Sequence, residues 1–272
     1  MEHRIRAKYE NLLGTVRGYG SAAVAFSGGV DSTLLAYAAS ESLGRESVVC
    51  VTARGASMPE RELADAEAFC SATGIRHKVI EFDEFEVDGF AANPPDRCYL
   101  CKHALFSLIT AYAKEAGMSF VLEGSNADDD SDYRPGMKAV RELGVKTPLR
   151  DAGLNKEEIR AILKCLGVSA WNKQSYACLA SRFPYGEEIT KAKLHMVEKA
   201  EQFLFDKGFS GIRVRIHGTG HFTARIEAAE SDISRLASEP LRGEVAKYFK
   251  SLGFTWVAID LLGYMTGNMN NF

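Results

Sequence analysis

The sequence lacks any long hydrophobic run, and its charges nearly balance. Among its 272 residues, wholly apolar stretches such as residues 22–26 stay far below the ~20 residues that a membrane span needs. The first residues are charged and include no apolar leader, which predicts a cytoplasmic protein without a secretory signal. The formal net charge of −3 gives no general electrostatic reason to bind nucleic acid. With 7 prolines and 46% apolar residues, the chain is also unlike a disordered protein.

The first half of the chain alternates between strand-like and helix-like patterns. Four short apolar runs have the pattern of buried strands: residues 21–26, 47–53, 76–82 and 119–123. This alternation predicts a parallel sheet covered by helices. Asn155 followed by Glu158 predicts a capped helix start, and an irregular stretch at 168–190 separates it from a mixed helix and strand pattern. We predict an α/β protein, with a parallel-sheet domain over residues 1–168 and a smaller α+β domain over residues 169–272.

A polar, glycine-rich turn lies between the first predicted strand and the next helix. We call residues 27–33 the phosphate loop; its candidate ligand-binding residues are Ser27, Gly28, Gly29, Asp31, Ser32 and Thr33. Two glycines let a backbone approach an anion, and the N–H groups at the following helix start point toward it. Asp31 is also a candidate Mg²⁺ ligand. The sequence has no Gly-x-x-x-x-Gly-Lys motif, which favours chemistry at the α-phosphate of a nucleotide over γ-phosphate transfer. The alternative interpretation is a tight turn without a ligand.

The six cysteines are expected to be free thiols, because proteins without a secretory signal remain in a reducing compartment. Cys50, Cys70 and Cys165 fall within strand or helix patterns, which predicts that they pack in the core. Cys98 and Cys101 have C-x₂-C spacing near a predicted helix start. This spacing lets two thiolates face one metal ion.

Cys178 lies in irregular chain close to Arg182, whose charge favours an exposed thiolate. Cys98, Cys101 and Cys178 can be unrelated thiols, a structural zinc site completed by His103, or a functional site with three thiolates. Three cysteine ligands on a cubane [4Fe-4S] cluster leave one iron open, and that iron can carry a transferable sulfide. We favour this last interpretation, with Cys98, Cys101, Cys178 and Arg182 as catalytic candidates.

The phosphate loop resembles the signature of the PP-loop ATP pyrophosphatase superfamily, which has the adenine nucleotide alpha hydrolase-like fold. Together with residues 93–102, 123–136, 177–186 and 213–227, it makes nearly the whole chain resemble the LarE family of ATP-dependent sulfur transferases. The resemblance implies ATP and Mg²⁺. It also implies a small mononucleotide substrate, pyridinium-3,5-biscarboxylate mononucleotide, whose carboxylate is adenylated and then converted to a thiocarboxylate. The product would be an intermediate of the nickel-pincer nucleotide cofactor of lactate racemase.

Two sulfur chemistries occur in the family that this chain resembles. In one, the cysteine that matches Cys178 gives up its own sulfur; in the other, this cysteine and those matching Cys98 and Cys101 bind a [4Fe-4S] cluster that relays sulfide. Because the chain has all three cysteines, we prefer the cluster. The resemblance further implies a homo-oligomer, a hexamer of paired trimers, and permits a sulfide donor such as a cysteine desulfurase. No nucleic-acid or membrane partner is expected.

Further candidate residues come from strand patterns and from matching positions in the family. They are Arg213 and Arg215 as a phosphate clamp, Asp128 and Arg134 as nucleotide or substrate contacts, and Glu201 and Asp232 as metal or substrate ligands. On sequence alone, a solvated basic strand face remains an alternative for the two clamp arginines, and surface charge is the simpler interpretation of the two acids. His217 and His221 flank a glycine-containing hairpin turn and are predicted to be turn residues.

Three other functions remain open on the sequence. A tRNA thiolase combines a similar loop with C-x₂-C and a distant cysteine, but a net charge of −3 argues against RNA binding. A nucleotide-binding regulator with a structural zinc at Cys98 and Cys101 would need no catalysis. An amide-forming synthetase would need an ammonia source, and the sequence offers no glutaminase pattern.

Overall fold

Two separate sheets organise the chain, which a computed structural model describes over residues 1–131, 136–174 and 177–265. The strands of the first sheet are β1 (Ala22–Ala25), β2 (Val48–Arg54), β3 (Arg76–Glu81) and β4 (Phe120–Leu122). Their order in the sheet is β3-β2-β1-β4, and every neighbouring pair is parallel. The predicted parallel α/β sheet is confirmed.

Seven helices accompany the first sheet within the described residues. They are α1 (His3–Arg17), α2 (Val30–Leu43), α3 (Glu60–Thr73), α4 (Arg97–Glu115), α5 (Gly136–Glu142), α6 (Pro148–Asp151) and α7 (Lys156–Cys165). The predicted cap of α7 is present, because the Asn155 side chain accepts from Glu158 N–H and the Glu158 carboxylate accepts from Asn155 N–H. The sequence pattern gave no signal for the short helices α5 and α6. Helix α4 begins at Arg97, near the helix start that the sequence predicts at Cys98 and Cys101.

Both faces of the first sheet are buried, which explains why its central strands are apolar at consecutive positions. Ala22 and Val24 of β1 belong to one hydrophobic cluster with residues of α1, α2 and α7, such as Leu12 and Leu34. Ala23, between them, belongs to a second cluster with residues of α4 and α5. Because side chains alternate between the two faces of a strand, helices on both sides require an unbroken apolar run.

The chain divides into two compact units, and the division differs in place from the predicted border after residue 168. The first unit comprises Met1–Val87 and Asp96–Tyr176, and the second comprises Asp88–Pro95 and Ala177–Phe272. The chain from Ser169 to Asn172 forms a short 3-10 helix that packs with α7, so it belongs to the first unit.

The second unit contains a three-stranded sheet with the order β5-β6-β7. Its elements are α8 (Lys191–Asp206), β5 (Arg213–His217), β6 (Phe222–Glu227), α9 (Glu230–Ala237), α10 (Leu241–Ser251) and β7 (Phe254–Ile259). β5 and β6 form the predicted hairpin, and β7 is parallel to β6. Residues 88–95 join this unit because Asn93 and Ala91 bond through their carbonyl oxygens to Gly186 N–H (2.9 Å) and Ile189 N–H (2.8 Å).

The core prediction for the isolated cysteines is correct at two of three positions. Cys50 and Cys70 are buried, but Cys165 is exposed. On α7 the buried face contains Ile162 and Leu163, and Cys165 is two residues past Leu163. Since α7 turns by roughly 100° per residue, Cys165 lies about 60° from Ile162 but about 200° from Leu163, which places it at the edge of the buried face, at the last residue of the helix. No helix in the described ranges has both the length and the hydropathy to cross a bilayer.

Candidate functional site

A cavity of about 400 Å³ opens in the first unit beside the phosphate loop. It lies at the carboxyl ends of β1, β2 and β4, where open α/β sheets bind their ligands. One wall is apolar and is made by Ala25, Phe26, Val30, Val51, Ala53, Leu105, Phe106 and Ile109. The other wall is polar and consists of Ser27, Gly29, Asp31, Ser32, Lys102, Glu123, Gly124, Ser125, Asp129 and Lys156. The cavity therefore combines apolar contacts with serine hydroxyls, loop backbone, carboxylates and two ammonium groups.

The phosphate loop needs glycine at position 28 for two reasons. Gly28 has φ +68°, in the left-handed region that other residues rarely adopt. A Cβ atom there would lie 3.2 Å from the Glu62 carbonyl oxygen and from the Ala66 nitrogen, both in the backbone of α3. The turn therefore packs directly against α3. Its outer side is fixed by helix backbone, and its inner side faces the cavity.

Two serine hydroxyls hold the inner side of the loop. The Ser32 hydroxyl accepts a hydrogen bond from Ser27 N–H (3.3 Å) and donates one to the Gly29 carbonyl oxygen (3.2 Å). Gly29 N–H in turn donates to the Ser27 hydroxyl at 3.3 Å. Thr33 differs from its neighbours: it is buried, and its N–H donates to the Gly29 carbonyl oxygen (2.9 Å) as part of α2. The loop thus presents hydroxyls and helix-terminal amides to one side, as an anion site requires.

A second glycine lets the chain after β4 approach the start of α2. A Cβ atom on Gly124 would lie 3.1 Å from Ser32 N, so only glycine fits this contact without displacement. The approach brings Glu123 and Ser125 into the polar wall of the cavity. The Lys102 ammonium pairs with Glu123 at 3.1 Å. Burial raises the pKa of Glu123, but Lys102 and the hydrogen bonds from Ser125 outweigh it, so the pKa lies below its usual range.

The sequence analysis missed Lys156, which supplies the positive charge opposite the loop. Lys156 is the first residue of α7, and its ammonium forms an ion pair with the Asp31 carboxylate. Burial raises the pKa of Asp31, and Lys156 opposes this effect. The other carboxylate oxygen of Asp31, Oδ1, is buried and has no hydrogen-bond partner within the described ranges. A cation or a bound donor would satisfy this oxygen. The capping pattern at Asn155 and Glu158 gave the signal for a helix N-terminus, but not its location at the cavity.

Asp128 and Asp129 have different positions in the structure. The Asp128 carboxylate accepts a hydrogen bond from Lys156 N–H (2.9 Å). Asp128 is not among the residues that line the cavity in the described part of the chain. Asp129 does line the cavity, although the sequence analysis selected its neighbour. Its carboxylate accepts from Asn126 N–H at 3.0 Å. Asp128 thus fixes the start of α7, and Asp129 faces the ligand space. Arg134, another candidate, lies outside the described residues.

Cys98 and Cys101 both lie at the start of α4, and both are half-buried. Residues three apart on a helix lie on the same face, so the two thiols are neighbours. The Arg97 guanidinium donates to Cys98 Sγ at 3.6 Å. Cys178 belongs to the second unit. In the described part of the chain, no group of three or more His, Cys, Asp or Glu side chains is arranged to hold a metal ion.

Cys178 is exposed on a segment that a buried ion pair holds in place. It precedes a 3-10 helix, Leu179–Arg182, whose last residue is fully buried. The Arg182 guanidinium donates to both carboxylate oxygens of Glu201 (2.8 and 2.9 Å) and to the Ala177 carbonyl oxygen (2.9 Å). Glu201 is therefore not the surface charge that the sequence suggests. Burial raises the pKa of Glu201, but Arg182 outweighs it and holds that pKa below its usual range.

Arg213 and Arg215 lie on the same face of β5, and both are buried rather than solvated. The Arg215 guanidinium donates to Glu227 at 2.8 and 3.0 Å and to the Ser181 carbonyl oxygen at 2.8 Å, so it fixes the Cys178 segment from a second side. Arg213 lies over the ring of Tyr264 at 4.9 Å. Burial and the nearby Arg182 charge lower the pKa of Arg213. Arg182, Arg213 and Arg215 thus form a buried group with the carboxylates of Glu201 and Glu227.

Asp232 and His217 are the remaining candidates in the second unit. Asp232 lies in the first turn of α9 and is half-buried, and it forms no metal-binding group with Glu201 among the described residues. His217 ends β5 and accepts from Arg225 Nε at 3.1 Å. Burial lowers the pKa of His217. Its place at the end of the hairpin strand agrees with the predicted turn.

Comparison with known proteins places these features in a family. A family model described as NAD synthase matches residues 6–91, which include the phosphate loop. An uncharacterized protein of Synechocystis sp. is 39% identical over 266 residues, 98% of each chain. Pyridinium-3,5-bisthiocarboxylic acid mononucleotide synthase of Lactiplantibacillus plantarum is 34% identical over 267 residues, 98% of this chain and 95% of that protein. An uncharacterized protein of Methanocaldococcus jannaschii is 32% identical over 88% of each chain. The chain belongs to the LarE family of ATP-dependent sulfur transferases, within the PP-loop ATP pyrophosphatase superfamily.

Proposed function

We propose that the protein adenylates a carboxylate of pyridinium-3,5-biscarboxylate mononucleotide with ATP and converts it to a thiocarboxylate. The observation that carries this proposal is the cavity, which joins an apolar wall to the phosphate loop, Asp31 and Lys156. The family relationship over 98% of the chain supports the choice of substrate. In the first step a carboxylate oxygen attacks the α-phosphorus, and pyrophosphate leaves with the bonding electron pair. In the second step sulfide attacks the acyl carbon, and AMP leaves.

The residues of the cavity fit ATP with Mg²⁺. The apolar wall of β2 and α4, with Val51 and Leu105, suits an adenine ring. The phosphate loop offers the N-terminus of α2, and the helix dipole favours the phosphates. Asp31 Oδ1, which is buried without a partner among the described residues, would meet Mg²⁺, and Asp129 would supply a second oxygen ligand. When bound, Mg²⁺ neutralises part of the phosphate charge. Lys156 would stabilise the charge that develops on the departing pyrophosphate.

The second unit offers surroundings for the phosphate of the mononucleotide. Four arginines meet three carboxylates in one connected group: Arg182, Arg213, Arg215 and Arg225 with Glu201, Glu227 and Asp260. The excess positive charge favours an anion, and planar guanidinium groups suit phosphate. Arg182 and Arg215 are positioning residues here, because their hydrogen bonds hold the segment of Cys178. Arg213 is the arginine that we propose to contact the substrate.

For the sulfur donor we propose a [4Fe-4S] cluster held by Cys98, Cys101 and Cys178. The neighbouring pair on α4 and the exposed third thiol have the chemistry of cluster ligands. Because the described residues include no group of three metal ligands, we derive no step through the cluster. Sacrifice of the Cys178 sulfur is the other route to the same product.

The test is carried out under anaerobic conditions with the cluster-reconstituted full-length protein. We expect AMP and pyrophosphate to form only when ATP and the biscarboxylate mononucleotide are both present, with a mass gain of the product for sulfur replacing oxygen. Lys156→Met should lower the rate at least tenfold, and Cys165→Ala, an exposed thiol outside the site, should not. Absence of both adenylation and thiolation would end this proposal.

Iron content separates the two sulfur chemistries. About four iron atoms per chain, lost in both Cys98→Ala and Cys178→Ala, would support one shared cluster. A full turnover without iron, followed by an intact-mass loss at Cys178, would favour the sacrificial route. A tRNA thiolase is less well supported, since a relative that matches 98% of this chain is named as a mononucleotide synthase. A gel shift with bulk tRNA at two salt concentrations should show no tight binding.

A further inference from the structure

Lys173 contacts the phosphate loop at the peptide group that joins Gly28 and Gly29. Its ammonium donates to the Gly28 carbonyl oxygen at 3.1 Å. It also pairs with the carboxylates of Glu62 (2.8 Å) and Asp65 (2.6 Å), both on α3. The Lys173 side chain is largely buried, at 14% exposure, and is not one of the cavity-lining residues in the described part of the chain. No phosphate-binding role follows from this location, so its contact with the loop needs another explanation.

The hydrogen bond to Gly28 fixes the orientation of one peptide group. In a trans peptide the carbonyl of one residue and the N–H of the next point in opposite directions. The Gly28 carbonyl points to Lys173, and Gly29 N–H accordingly points to the other side, where it donates to the Ser27 hydroxyl. Ser27 and Gly29 line the cavity. Lys173 therefore directs an amide hydrogen toward the space that we assign to phosphate.

Without this contact, glycine at position 28 would permit the opposite orientation. Rotation of this peptide changes ψ of Gly28 and φ of Gly29, and both glycines tolerate the new values because they lack a Cβ atom. Within the loop, the hydrogen bond from Gly29 N–H to the Ser27 hydroxyl opposes the rotation, and at 3.3 Å it is a long one. A rotated peptide would turn the Gly28 carbonyl oxygen toward the cavity, where it would repel a phosphate oxygen. The two carboxylates on α3 hold the ammonium of Lys173 in place, next to the helix backbone against which Gly28 packs.

We propose that Lys173 is a positioning residue for the triphosphate: it holds the Gly28–Gly29 peptide in the orientation that donates to phosphate. The inference rests on the proposed ATP site and adds a residue that does not itself touch the ligand. It predicts that Lys173 matters for ligands with phosphate and not for the nucleoside alone. A residue that only stabilised the fold would affect both to the same degree.

The test is calorimetric binding of Mg-ATP and of adenosine to the full chain. Lys173→Met should weaken ATP binding at least tenfold, which corresponds to about 1.4 kcal/mol, and leave adenosine binding within about threefold. Lys173→Arg should restore ATP binding to within about threefold, because its guanidinium can donate to both the carbonyl and the carboxylates. Lys114→Met is the matched control: this exposed lysine lies on α4 away from the loop, and its loss should change neither affinity.

Salt distinguishes peptide orientation from simple charge attraction. A through-space effect of the ammonium would weaken at 0.5 M NaCl, less than for an exposed charge because Lys173 is largely buried, whereas a misoriented peptide would remain misoriented. Should Lys173→Met not fold, Asp65→Asn takes its place, because Asp65 is exposed and loosens the same anchor; ATP binding should fall about threefold and adenosine binding should stay.

The outcomes are distinct. Equal losses for ATP and adenosine, unchanged ATP binding in both variants, or a loss that disappears at high salt would each overturn the positioning role and leave the proposed function in place. Wild-type protein that binds no ATP would overturn the proposed function, and this inference with it.

Discussion

Replacing Glu201 with glutamine should destabilise the second unit by about 3 kcal/mol, because the substitution leaves the Arg182 guanidinium charged and buried without its partner. Both side chains have 0% exposure, and two hydrogen bonds of 2.8 and 2.9 Å join them. Removing one member of such a pair lowers the free energy of unfolding by roughly 3–5 kcal/mol. We expect the lower end, since Arg182 keeps its bond to the Ala177 carbonyl oxygen. This loss is a large part of the ~5–15 kcal/mol that stabilises a domain.

Urea denaturation followed by far-UV circular dichroism measures the loss. With a denaturant slope of about 2 kcal/mol per molar urea, the midpoint should fall by about 1.5 M. The double variant Arg182→Met/Glu201→Leu should lose less than the sum of the single variants, because it leaves no unpaired buried charge. It should still lose about 1–2 kcal/mol, since Val214 N–H loses its carboxylate acceptor. Midpoint shifts below about 0.3 M for both single variants would refute the reasoning.

The same pair sets the sign of a pH effect. The pKa of Glu201 in the folded protein lies below its usual value, since the charge of Arg182 outweighs burial. The stabilisation is therefore fully present above the unfolded pKa of about 4.3, and it is lost as the pH falls through the lower folded value. The difference in stability between the wild type and Glu201→Gln should accordingly shrink only below about pH 4. A difference that already changes between pH 6 and 8 would contradict the assigned cause.

Three further perturbations test the local structure. Gly28→Ala should destabilise the protein by about 1–2 kcal/mol, since φ is +68° and the α3 backbone lies 3.2 Å from the new Cβ atom. Gly14→Ala, in open space on α1, should stabilise the protein by up to ~1 kcal/mol. A thermal melt that ranks the two variants in the reverse order would contradict the loop geometry. Brief alkylation with iodoacetamide, followed by peptide mass spectrometry, should modify exposed Cys178 before buried Cys50, and equal labelling of the folded protein would show that the burial is misassigned. Asn155→Ala should cost about 1 kcal/mol of stability through the lost cap of α7 and weaken ATP binding by moving the neighbouring Lys156; unchanged denaturation and binding would count against the cap.

Local patterns in the sequence determined the strands, the phosphate loop and the cap of α7. A buried parallel strand needs consecutive apolar residues, and this requirement makes residues 22–25 readable without any partner strand. The glycine at position 28 is similarly local, because positive φ is a property of one residue. Asn155 and Glu158 satisfy each other over three positions, so their pattern is sufficient to locate a helix start.

Contacts between distant parts of the chain decided the rest of the candidate site. Lys156 pairs with Asp31 across 125 positions, and Lys173 reaches Gly28 across 145. No propensity or spacing within a segment specifies such pairs, since they arise only when the sheet brings strand ends and helix starts together. The same reason explains why the sequence did not decide whether Glu201 is buried. Its position on a helix is equally compatible with an exposed and with a buried side chain. Its burial follows from packing of α8 on β5, and its charge persists there because Arg182 is buried with it.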